Sequence, residues 1–142
     1  MIMSDLTGKP AFSIKGLAPY IHVFDMPVAL AFYRDVLGFA IKYSSGDGDD
    51  VDWVLLQLND IEFMLNTAYE KERRPAAPDP ARIDAHADTT FYFSCRETDA
   101  LYAHLQSKGV KATEPFITGY GFKAVYLKDP DGYQLCFHWP AE

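Results

Sequence analysis

The order of predicted strands and helices in the first half of the chain is repeated in the second half, at a nearly constant offset of 72 residues. The segment 17–24 alternates apolar and polar residues as a half-buried strand does, and a helical pattern follows between Asp25, a candidate N-cap, and Gly38. The further predicted strands of the first half are 40–45, 52–58 and 61–66. The second half predicts a strand at 89–94, a helix at 97–109 and strands at 110–116, 122–127 and 133–138.

A repeat of this kind indicates two copies of one supersecondary unit. We predict an α+β fold in which two βαβββ modules, related by a pseudo-twofold axis, form mixed sheets that enclose a cleft. Module 1 covers about 17–66 and module 2 about 88–139, within a single domain spanning 1–142. The segment 67–87 between them has three prolines, many charges and no periodicity, which predicts an exposed and mobile linker or a lid.

The last predicted strand follows the turn Asp129-Pro130-Asp131-Gly132, whose residue types favour a chain reversal. Successive side chains of a strand point to opposite faces of the sheet, so the alternation divides the residues of each predicted strand into two sets. In four strands one set is apolar and is expected to pack against the helices. The other set is too polar for a closed core and too aromatic for open solvent, which favours a cleft. We call this second set, on the sheet of each module, the mixed face of that module and expect it to point into the cleft.

The mixed faces supply the candidate ligand-binding residues. From module 1 they are Tyr20, His22, Glu62 and Met64, and from module 2 Thr90, Tyr92, Gln134, Cys136 and His138. Tyr20 and Tyr92 are repeat partners that could stack on a planar ligand, and Glu62 is a candidate general base.

The formal net charge of −7 disfavours nucleic acid and anionic membranes as partners, since both reward clustered Lys and Arg. It is compatible with a cationic ligand. No apolar run reaches the roughly 18 residues of a membrane span. The first 16 residues lack the basic start and apolar stretch of a signal peptide, so the sequence predicts a cytoplasmic protein.

The segments "AFYRDVLGF" (31–39) and "YLKDPDGYQL" (126–135), together with the repeat, resemble the vicinal oxygen chelate superfamily. That superfamily includes glyoxalases, extradiol dioxygenases, and fosfomycin and bleomycin resistance proteins, and the resemblance covers about 17–139. It implies two modules around a cleft, with metal ligands in the metal enzymes on the first and last strand of each module. The corresponding positions here are Ala18, Met64, Thr90 and Cys136. A divalent metal needs imidazole, carboxylate or thiolate donors, and of the four residues only Cys136 offers one. Because one ligand does not hold a metal, we expect no metal and no cofactor, as in the bleomycin-resistance-like branch.

Three functions remain open at this point. The first is a metal-independent protein that binds an aromatic or cationic organic ligand in the cleft between the modules. The second is a metal-free isomerase or lyase that uses Glu62 or a histidine or tyrosine of the cleft for proton transfer. The third is a metal-dependent lyase or dioxygenase with relocated ligands. A homodimer is expected, because a chain of two small modules leaves sheet edges open for pairing.

Overall fold

The computed structural model describes residues 10–142 and contains two four-stranded sheets, one from each module. Module 1 consists of β1 (Tyr20–Val23), helix α1 (Met26–Leu30), a π-helical continuation (Ala31–Val36), β2 (Ala40–Ser44), β3 (Trp53–Leu58) and β4 (Ile61–Thr67). Module 2 consists of β5 (Thr90–Ser94), helix α3 (Thr98–Ser107), β6 (Phe116–Ile117), β7 (Phe122–Lys128) and β8 (Gln134–Pro140). Between them lie a 3-10 turn (Lys71–Arg73), helix α2 (Pro80–Ala85) and a second 3-10 turn (His86–Asp88).

The two sheets have the same topology. Their strand orders are β1-β4-β3-β2 and β5-β8-β7-β6, and in each the first strand is parallel to its neighbour while the others pair antiparallel. Even the register repeats, because Tyr20 pairs with Met64 and Tyr92 pairs with Cys136 at the same 72-residue offset. The predicted α+β fold of two repeated modules with mixed sheets is confirmed.

Three local predictions differ from the structure. β1 begins at Tyr20, and Leu17, expected on the apolar face, is 87% exposed. The strand predicted over 110–116 is reduced to an isolated bridge at Ala112 and the two residues of β6. The segment 67–87 contains helix α2, capped by Asp79, whose carboxylate accepts a hydrogen bond from Ala81 N at 3.0 Å. A helix of six residues gives too few turns for its periodicity to be recognised in the sequence.

The helix-bearing faces of the two sheets join in a single hydrophobic core. Phe63 of β4 and Phe91 of β5 meet edge to face with ring centroids 5.1 Å apart, and His104 Nε2 of α3 donates to the Val36 carbonyl of module 1 at 2.7 Å. Because both apolar faces turn toward this core, the two mixed faces lie on the outer sides of their sheets. Tyr20 and Tyr92 are accordingly half-exposed, at 50% and 54%.

The segment 67–87 between the modules is docked on both of them. Arg82 Nη2 donates to His22 Nδ1 at 2.9 Å, and His86 Nδ1 donates to the Asp131 carbonyl at 2.6 Å. The His86 ring also stacks on Tyr133, with centroids 4.0 Å apart and planes inclined by 11°. These contacts hold the end of the segment against β1 and against the turn between β7 and β8.

None of the helices found within residues 10–142 has the length and apolar character needed to cross a membrane.

Candidate functional site

The nine predicted ligand-binding residues fall into two groups, one on each mixed face. Tyr20, His22, Glu62 and Met64 lie on β1 and β4 of the first sheet, and the other five lie on β5 and β8 of the second. A groove of about 450 Å³ between the modules brings together only Glu62 and Tyr92 from these two groups.

On the first sheet, His22 and Tyr20 form an edge-to-face pair with ring centroids 5.4 Å apart. Burial lowers the pKa of His22, and the neighbouring positive charges of Arg82 and His86 lower it further. Because Nδ1 accepts the hydrogen bond from Arg82, the imidazole is neutral and carries its proton on Nε2. His22 therefore offers one ring N–H donor rather than a positive charge.

Glu62 forms an ion pair with Lys42, whose Nζ lies 2.8 Å from Glu62 Oε2. Both side chains are more than a third exposed, so this carboxylate is in contact with solvent and has a cationic partner. A general base needs the opposite environment, shielded from solvent and without a cationic partner. The sequence did not indicate this pairing, because Lys42 and Glu62 lie on β2 and β4, which are not consecutive in the chain and have β3 between them in the sheet.

On the second sheet, Thr90 and Gln134 are partners within one face. Thr90 Oγ1 donates to Gln134 Oε1 at 2.9 Å, and these two residues are also register partners. Cys136 is fully buried, and burial raises the pKa of its thiol. A buried protonated thiol is a poor nucleophile, so Cys136 forms part of the floor of this face.

The second mixed face is mainly aromatic. The His138 ring lies 5.1 Å from Tyr92 and 4.8 Å from Phe122, and the Tyr126 ring stacks against Phe116 at 5.8 Å. Together with Tyr120, whose ring is 5.1 Å from Phe122, these side chains form what we call the aromatic face. It is defined by Tyr92, Phe116, Tyr120, Phe122, Tyr126 and His138.

The candidate residues named from the sequence did not include Phe116, Tyr120, Phe122 or Tyr126. The alternation of β7 could have placed Tyr126 beside Cys136, its register partner. Tyr120 lies in the loop before β7, where no periodicity applies.

A cavity of about 770 Å³ adjoins the aromatic face. Tyr126 and Gln134 line it from the sheet, Phe32 lines it from module 1, and the segment 110–113 forms its far wall. The lining is largely apolar with a few polar groups, as in organic-ligand pockets.

The four positions that correspond to the metal ligands of related enzymes do not fit a divalent metal. Ala18 has no donor atom, Met64 offers only a thioether, and Thr90 already hydrogen-bonds to Gln134. Cys136 is a buried thiol of raised pKa. Within residues 10–142, no three His, Cys, Asp or Glu side chains lie together in an arrangement that could hold a metal ion.

A buried polar junction connects the modules beneath the turn between β7 and β8. Asp131 Oδ1 accepts from Phe24 N at 2.7 Å, and Asp129 Oδ2 accepts from the Tyr33 hydroxyl at 2.6 Å. Burial raises the pKa of Asp131 to about 6 and also raises that of Asp129. Both carboxylates bind donors of module 1, so this turn has a structural role.

These features define a fold of two repeated βαβββ modules with an exposed aromatic face. The chain belongs to the Glyoxalase/Bleomycin resistance protein/Dioxygenase superfamily, whose family model matches residues 16–137. The resemblance seen in the sequence motifs is thereby confirmed.

Solved structures agree with this assignment at the level of fold. TnmS3, an antibiotic binding protein from Streptomyces sp. CB03234, has a TM-score of 0.67 at 21% identity, over 92% of this chain and 99% of that one. A bleomycin-binding protein solved in complex with bleomycin has a TM-score of 0.66 at 20% identity, over 91% and 100%. A bleomycin resistance determinant encoded on the transposon Tn5 has a TM-score of 0.66 at 21% identity, over 89% and 98%. No curated protein sequence gives a significant match.

Proposed function

We propose that this protein binds a small organic ligand with an aromatic ring, without a metal and without chemical turnover. The observation that carries the proposal is the aromatic face, on which Tyr92, Tyr120 and Phe116 are 54%, 52% and 43% exposed. An exposed face of aromatic side chains that carries a few polar groups is typical of a ligand-binding surface. The similarity to antibiotic-binding and bleomycin-binding proteins supports the same class of function.

The residues expected to contact the ligand are those of the two mixed faces. Tyr20, Tyr92 and Met64 supply apolar area, and His22, Glu62, Thr90, Gln134 and His138 supply hydrogen bonds, above the buried Cys136. Absence of a metal requirement is supported by the donor-poor set at the four family positions. The two free cysteines, Cys95 and Cys136, support a reducing, cytoplasmic location.

Binding is tested by screening planar aromatic compounds, cationic and neutral, by thermal shift and then by calorimetry. We expect the joint substitution Tyr20→Ala and Tyr92→Ala to weaken any hit roughly tenfold or more, because both rings provide stacking area. The matched control is Tyr102→Ala on helix α3, in the other layer of module 2. Protein dialysed against EDTA should bind equally well.

Three results would contradict this proposal. Undiminished binding by the double variant would place the ligand elsewhere. Loss of binding after chelation, restored by a metal, would favour the metal-dependent enzyme. Consumption of a bound compound that is abolished by Glu62→Gln would favour the metal-free isomerase or lyase.

We also propose a homodimer in which a second copy covers the open mixed faces and completes the cleft. The support is the exposure of both faces, together with that of Phe12 and Ile14 in the extended segment before β1, at 67% and 82%. Both residues of edge strand β6 are exposed as well. Unpaired edges and apolar patches of this kind favour association.

Light scattering over a dilution series should therefore give twice the 16.0 kDa mass of the chain at tens of micromolar. A mass equal to one chain at all concentrations would contradict the dimer. In that case each mixed face would have to bind ligand by itself.

A further inference from the structure

The aromatic face contains a group of hydroxyls whose mutual hydrogen bonds are long. The Tyr92 and Tyr126 hydroxyl oxygens are 3.5 Å apart, and the Tyr120 hydroxyl is 3.5 Å from His138 Nδ1. A well-formed O–H···O hydrogen bond measures about 2.7–2.8 Å. The hydroxyls of Tyr92 and Tyr126 therefore face each other, and that of Tyr120 faces His138, without forming short hydrogen bonds.

The hydroxyl of Tyr126 remains protonated at neutral pH. The pKa of Tyr126 is raised far above its usual value, first by the hydroxyl of Tyr92, then by burial, and further by Tyr120 and the Cys136 thiol. A protonated phenol is a hydrogen-bond donor as well as an acceptor. A ligand oxygen placed beside the Tyr92 and Tyr126 hydroxyls, off the line that joins them, could accept hydrogen bonds from one or both at normal distances.

The local charge on this sheet differs from that of the whole chain. The second sheet, which lies within the described residues, consists of β5, β6, β7 and β8. Its strands contain no Asp or Glu, and their only charged side chains are Lys123 and Lys128. Lys123 is paired with Asp99 at 2.7 Å on the helix side. The net charge of −7 therefore does not make this face attractive to a cation.

We propose that the hydroxyls of Tyr92, Tyr120 and Tyr126 select ligands whose planar ring bears an acceptor oxygen, either a conjugated carbonyl or an anionic oxygen. The inference rests on the proposed function and specifies the class of ligand that the aromatic face takes. The ring stacks on the aromatic side chains while its oxygen takes the donors that the tyrosines leave free. Hydrogen bonds from neutral donors to a charged oxygen are the stronger ones, so an anionic oxygen is bound best.

Three naphthalene probes with one ring system and different head groups test this selection: 2-naphthoate, 2-acetonaphthone and 2-naphthylmethylammonium. Calorimetry with the full-length chain should show the ammonium compound binding roughly tenfold more weakly than the naphthoate. The double variant Tyr92→Phe and Tyr126→Phe keeps both rings and removes both hydroxyls. It should weaken the naphthoate and the ketone roughly five- to tenfold and leave the ammonium compound unchanged.

The control variant is Tyr102→Phe, which removes a hydroxyl that accepts from Gln106 Nε2 on helix α3 at 3.1 Å, and it should change none of the three affinities. This selection would be overturned if all three probes bound equally and the double Phe variant bound them unchanged. Loss of that binding in the variant with Tyr20→Ala and Tyr92→Ala would still support the proposed function. Tighter binding of the ammonium compound would also overturn the selection. Binding of none of the probes would count against both proposals.

Discussion

Replacing Gly132 with alanine is expected to lower the free energy of unfolding by about 2–5 kcal/mol. Gly132 has a φ of +89°, where a Cβ atom is strained, and it also lies against helix α2. A Cβ built on it would be 2.6 Å from the Ile83 carbonyl oxygen and 2.8 Å from Ile83 Cγ2. Because the nearest atom belongs to the backbone, the helix itself would have to move.

Gly38 offers a matched control, since its φ is +94° and a Cβ there would meet no atom within 4 Å. Gly38→Ala should cost only the backbone strain of about 1–2 kcal/mol. Urea denaturation of both variants gives the additional loss in the free energy of unfolding for Gly132→Ala over Gly38→Ala. That difference reports on the docking of the 67–87 segment. Equal losses would mean that α2 is not held against the turn in solution, as a mobile linker or lid would require.

The second large effect is expected at Asp129, whose replacement by alanine should cost at least about 3 kcal/mol. Asp129 is 5% exposed, and its Oδ2 accepts the Tyr33 hydroxyl from module 1. Its Oδ1 accepts from the backbone N–H groups of Asp131 and Tyr133, both at 2.9 Å. Alanine would leave three donors without partners, and a buried unsatisfied donor costs about 1–3 kcal/mol.

A double-mutant cycle isolates the part of this effect that joins the modules. Tyr33→Phe removes only the hydroxyl, and Asp129→Asn keeps the shape of the turn while weakening the acceptor. We expect a coupling free energy of about 1–2 kcal/mol between the two changes in denaturation experiments. Strictly additive losses would show that the 2.6 Å contact does not stabilise the packing of one module on the other.

Several parts of the site could be predicted from the sequence because they depend on local alternation. The faces of β1, β4 and β5 follow from a period of two, and their buried residues lie on the expected face. β8 departs from this pattern, because Cys136 is as buried as Leu135. The same phase places Tyr92 on an outer face and Phe93 in the core. The absence of metal donors at the four family positions is likewise visible in the residue types alone.

Other parts of the site depend on contacts that no local pattern encodes. Glu62 pairs with Lys42 across the intervening strand β3, and Tyr120 reaches His138 from a loop. His22 meets Arg82, 60 residues away, from a short helix that the sequence did not indicate. These pairings alter the chemistry of Glu62 and His22, so a list of candidate residues could not by itself assign their roles.

The sequence by itself determined that this chain forms two βαβββ modules, and which side chains of each strand share a face, because repeat and alternation are local properties of the chain. Only the tertiary structure decided where those faces point. The helix-bearing faces bury more apolar area by packing on each other, through Phe63 and Phe91, than either could alone. This packing turns both mixed faces outward, groups tyrosine side chains of module 2, and leaves the aromatic face exposed.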